Sequence, residues 1–80
     1  MTNMNEAKNE ARRYIKNELG KDVDVKVNSC TLDEIKDITV YEVKGIAKIQ
    51  KDPMHKDEKD FLVQIKNETG EVVGQEIMKR

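Results

Sequence analysis

The residue types that could support chemistry are few in this chain, and they are scattered. His55 stands in KDPMHKDE (51–58), with Asp52, Asp57 and Glu58 around it. A histidine beside carboxylates is the raw material of an acid–base pair or a metal site. The spacing matches no ligand motif, however, and a second histidine or a paired cysteine is missing, so the segment reads as an exposed loop. Cys30 is the single thiol. It rules out an internal disulfide and a Cys-only zinc site, and no neighbouring base marks it as a nucleophile. It reads as a small, half-buried filler. Lys8, Arg12 and Lys16 recur at steps of four with Arg13 beside them. On a helix that spacing makes a basic ridge able to meet phosphate or an acidic partner, or simply a solvated face.

No larger chemical signature accompanies these residues. There is no Gly-rich phosphate loop, no nucleophile elbow, no zinc spacing and no Ser/His/Asp order. The expectation is a protein that is not an enzyme, with no cofactor and no metal.

The elements that would position these side chains follow from periodicity. Over 3–19, Met4, Ala7, Ala11, Tyr14, Ile15 and Leu19 recur at steps of three and four. That places them on one stripe of an N-terminal helix. Asn3 followed by Glu6 predicts a capping box, and Gly20 stands where the helix would end. From Val23 the period changes to two: Val23, Val25 and Val27 alternate with Asp22, Asp24, Lys26 and Asn28, predicting a half-buried strand. The segment 31–38, TLDEIKDI, reads as a loop with one helical turn, or as an open hairpin loop whose apolar residues belong to the flanking strands.

A long strand is expected over 39–50, with Tyr41, Val43, Gly45, Ala47 and Ile49 facing inward. Gly45 and Ala47 would leave room for the helix with its own alanines. After a polar loop over 51–58, the stretch 59–78 predicts a β-hairpin. Phe61, Val63 and Ile65 alternate with Leu62, Gln64 and Lys66, 67–70 (NETG) supplies the turn, and Val72, Val73 and Ile77 resume the apolar run. The expected fold is α+β: one helix on a four-stranded antiparallel meander, order α-β-β-β-β, forming a single small domain over 1–80.

Composition sets the bounds. Eighty residues with 36% hydrophobic side chains and no Trp give a thin core of Val, Ile and Leu. Fifteen basic and sixteen acidic side chains, interspersed, leave a net charge of -1. That balance argues against nucleic acid, whose binders carry a basic excess or patch. No run is long enough to span a bilayer, and the N-terminus lacks the apolar core of a signal peptide. The chain therefore reads as cytoplasmic, without membrane contact.

Four apolar residues, Val40, Ile46, Leu62 and Val72, fall on the sheet face away from the helix, among Glu42, Lys44, Lys48 and Lys66. If contiguous, they would form a patch for self-association or a protein partner. A non-catalytic interaction or regulatory module acting through this face is the expected function. Nucleic-acid binding through Lys8, Arg12 and Lys16 is the alternative.

Two resemblances attach to short stretches. Glu6-Ala7, Leu19-Gly20, Tyr41-Glu42-Val43 and Thr69-Gly70-Glu71-Val72 resemble PepSY-type modules, which implies a non-catalytic module associated with regulating peptidases, usually outside the cytoplasm. Ile49 to Pro53, and Glu71-Val72-Val73-Gly74 through Lys79-Arg80, are similar to the gas-vesicle accessory protein of the O type.

Overall fold

The computed structural model describes Thr2 to Lys79, the side chains of Lys51 and Asp52 excepted. Its elements run α1 (Met4–Leu19), β1 (Asp24–Ile35), β2 (Ile38–Asp52), β3 (His55–Lys66) and β4 (Val72–Lys79). The strands form one antiparallel meander in the order β1-β2-β3-β4, with α1 lying across β1, β2 and β3. This is the α-β-β-β-β arrangement expected from the periodicity.

Helix α1 begins where its cap dictates. Asn3 is extended, its side-chain oxygen accepts from the Glu6 amide at 2.8 Å, and its amide nitrogen donates to Glu6 Oε1 at 3.0 Å. The first contact is the N-cap half of a capping box and satisfies an otherwise orphaned donor of the first turn, while the second, from Asn3 Nδ2, ties the two side chains together. At the other end the Gly20 amide donates to the Lys16 carbonyl at 2.8 Å, with φ 121° and ψ 154°. That conformation is open essentially to glycine alone.

Ala7, Ala11 and Ile15 are fully buried and pack with Val43, Ala47, Phe61, Val63 and Ile65. Small side chains on the helix stripe let the backbone lie close over Ala47 of β2. Each fully buried Ile or Phe contributes ~1.5–3 kcal/mol relative to exposure. Met4, on the same stripe in the first turn, is 45% exposed.

Gly45 differs from expectation in what fills its space. An added Cβ would meet the Lys26 carbonyl of β1 and lie 2.6 Å from Phe61 Cζ. The aromatic ring of the paired strand, rather than the helix, occupies the site. Cross-strand packing of an aromatic over a strand glycine is the recognised device for such a position.

Two turns are tighter than the sequence suggested. The segment 31–38 holds no helical turn: its apolar residues Leu32, Ile35 and Ile38 belong to the flanking strands, as in the hairpin alternative, but the hairpin is closed, with Lys36 and Asp37 alone reversing the chain at φ 48° and 67°. Two successive left-handed residues joining adjacent strands make a type I′ turn, whose twist matches that of the strands. Likewise 51–58 is mostly strand. Only Pro53 and Met54 lie between β2 and β3, and pairing resumes at Asp52 with His55. This β2–β3 tip reaches past the last β1 pair, Asp24 with Lys48, and the last β4 pair, Lys59 with Lys79. It projects as a two-stranded arm ending in Met54, and the molecule measures 45 × 19 × 17 Å.

Two β-bulges set which side chains face the helix. Register shifts between Val27 and Ser29 on β1, so Cys30, paired with Val43, turns toward the helix. It also shifts along β3–β4, where Ile65 pairs with Val72 but Gln64 pairs with Gly74, leaving Val73 as the extra residue. A bulge inverts the inside–outside alternation beyond it.

Candidate functional site

The sheet face opposite α1 has no covering layer from the described residues, and its side chains follow from the pairing in rows. Ile35 pairs with Ile38; next come Asp33, Val40 and Lys66; then Thr31, Glu42, Gln64 and Gly74. Below them lie Ser29, Lys44, Leu62 and Glu76, and below those Lys26, Ile46, Asp60 and Met78. Asp24, Lys48 and Glu58 form the last row. Paired residues of an antiparallel ladder share a face, so these rows describe one surface.

Of the four residues expected on this face, three are there. Val40 is 1% exposed, although it lies outside the cluster beneath the helix. It is walled by Ile35, Ile38, Gln64 and Val73, which line a shallow depression of about 140 Å³. Ile38 and Val73 are 38% and 48% exposed, so this second, smaller apolar cluster is open to its surroundings. Ile46 and Leu62 are half-buried in adjacent rows farther along. Val72 is a correction: it packs against the helix-side core, and the bulge puts Val73 on the outer face instead. Ile35, Ile38, Val73 and Met78 were missed by the sequence reading. Period two run back from Val40 and across the 36–37 turn reaches Ile38 and Ile35, whereas the bulge hides Val73.

The patch is also divided. Along β2, Glu42 and Lys44 stand between Val40 and Ile46, joined by a 3.3 Å salt bridge, and Leu62 shares the row of Lys44. The surface is therefore two apolar clusters flanking a band of opposite charges, rather than one continuous patch.

The basic ridge is partly engaged within the helix. The Arg12 guanidinium donates to Asn9 Oδ1 at 3.0 Å, and Arg13 bridges Glu10 at 3.0 Å. Lys8 and Arg12 are half-buried, whereas Lys16 is exposed. Lys8 lies near enough to Cys30 to act on it: burial pushes the Cys30 thiol up, and the Lys8 ammonium offsets part of that rise. A raised thiol stays protonated near neutral pH and is a poor nucleophile.

His55 opens β3 at the arm tip, and Asp57 and Glu58 are successive strand residues whose side chains point to opposite faces. The side chain of Asp52 lies outside the described residues. Among those described, no three His, Cys, Asp or Glu residues are grouped to hold a metal ion. A cleft of about 370 Å³ beside the helix N-terminus is polar and open, and is lined by Glu6, Glu10, Arg13 and Thr69 among others. No described helix is long and apolar enough to cross a membrane.

Comparison with protein-family models, with curated proteins and with solved structures finds no match for the chain.

Proposed function

We propose that this chain is a non-catalytic protein-interaction module that works through the sheet face opposite its helix. One observation carries the reading: Val40 is buried on a face that has no covering layer, within an apolar cluster whose walls, Ile38 and Val73, remain substantially exposed. Apolar surface held in a fixed shape by a sheet, and rimmed by charged side chains, has the composition of a contact surface. A cytoplasmic setting fits a chain whose single cysteine has no partner for a disulfide.

Photo-crosslinking tests the reading. A photoreactive residue at Val73 should give discrete adducts in extracts of the native cell, whereas one at exposed Lys16 should give none. Adducts from Lys16 alone, or from neither position, would exclude the outer face as the working surface.

A further inference from the structure

The row order on the outer face has a symmetry that identifies a partner for it. Rotate a second copy by 180° about an in-plane axis perpendicular to the strands, crossing the sheet between the Glu42 and Lys44 rows. Glu42 of each copy then lies over Lys44 of the other. One row farther out, Asp33 lies over Lys26, and Lys66 over Asp60. In that same row the Val40 cluster lies over Ile46, and Val73 lies toward Met78. Three opposite-charge matches and two apolar ones arise together, each made twice by the symmetry. The Glu42–Lys44 bridge within each chain becomes half of a four-charge square of alternating sign.

The other face-to-face arrangement lacks this property. An axis parallel to the strands, between β2 and β3, sets Ile46 against Asp60 and Lys26 against Met78. Charge alternation therefore selects one orientation, as complementary fields do at protein interfaces. In the central rows Leu62 lies over Gln64 and Glu76 over Gly74, neither a charge nor an apolar match, and in the outermost rows Ile38 lies toward Lys48 and Ile35 toward Asp24. Sheets packed face to face cross at about 30°, so the fit is required near the axis and relaxes away from it. Four strands at ~4.8 Å and ten residues at ~3.3 Å give a face of roughly 600 Å² per copy. Two such faces reach about 1,200 Å², the lower end of the range for specific complexes.

We infer that the outer face docks on the same face of a second copy of this chain, in a two-fold sandwich centred between Glu42 and Lys44. The inference rests on the outer face being the working surface and names its occupant.

Sedimentation velocity over a concentration series, with Glu42→Lys and Lys44→Glu variants checked for folding by circular dichroism, tests it. Wild type should show a monomer–dimer equilibrium. Each single variant faces like charges across the axis and should weaken it on the order of tenfold or more. Mixing the two variants should restore the dimer, because an all-acidic pair then meets an all-basic pair. A Glu42→Lys/Lys44→Glu double variant should dimerise like wild type. Wild type that stays monomeric at millimolar concentration overturns the two-fold docking. If crosslinks from Val73 then capture a different protein, the outer-face reading stands with another occupant. A dimer indifferent to both swaps, with Val73 crosslinking nothing, overturns both.

Discussion

Gly45 and Phe61 are direct partners in the β2–β3 ladder, and the Phe61 ring covers the space that a Cβ at position 45 would need. On the other side stands the Lys26 carbonyl, which is backbone and cannot step aside. Gly45→Ala should therefore destabilise the fold by ~1–3 kcal/mol through overpacking. A double-mutant cycle with Phe61→Leu, followed by urea unfolding, should show coupling, because the smaller side chain gives back part of the room. Additive effects would mean that the Lys26 carbonyl alone sets the cost.

Lys36 and Asp37 hold left-handed backbone that asparagine and glycine adopt more readily. Lys36→Asn with Asp37→Gly should raise stability by ~1 kcal/mol, read as a higher urea midpoint at unchanged slope. Proline at position 36 should do the reverse, since its φ is fixed near −65°.

Val40 is buried outside the helix-side core, beside a depression lined by Ile35, Ile38, Gln64 and Val73 among others. Val40→Ala should cost ~1–2 kcal/mol, against less than ~0.5 kcal/mol for an exposed strand position. Equilibrium unfolding at micromolar concentration separates these outcomes.

The capping box gives a further test. Asn3→Ala removes the acceptor for the Glu6 amide and should cost ~1 kcal/mol. Asn3→Asp or Asn3→Ser should restore most of it, because either side chain can accept the same hydrogen bond.

Cys30 sets a pH dependence at the alkaline end. Its thiol is raised in the folded chain, so the folded state holds the proton more tightly than the unfolded state. This contribution is fully present below the unfolded pKa, ~8.5, and is lost as pH rises through the folded value. Wild type should lose stability above that pH faster than Cys30→Ala, and its thiol should alkylate more slowly at pH 8 folded than in urea.

The helix, the strand count and most of the core were legible because each rests on an unbroken period. Ala7, Ala11 and Ile15 repeat at helical spacing, and Phe61, Val63 and Ile65 alternate strictly. The error at Val72 has a single cause. A bulge adds a residue without leaving a mark in composition, so period two assigns Val72 the outer face that Val73 takes. The 36–37 turn was hidden for a related reason: it uses Lys and Asp where Asn-Gly would have announced it. The division of the outer patch by Glu42 and Lys44 was readable only once register fixed which rows adjoin.

Near its start the chain meets its last hairpin: the Thr2 amide donates to the Asn67 carbonyl at 2.8 Å, and Asn67 Nδ2 donates to the Thr2 carbonyl at 3.3 Å. Every strand pairing, by contrast, joins sequence neighbours. The three hairpins can zip locally, whereas this clasp must close a loop of most of the chain. Docking of the helix is therefore expected to be the late event of folding. Mutations at Asn67 should speed unfolding and leave the folding rate nearly untouched, a φ-value close to zero in stopped-flow kinetics.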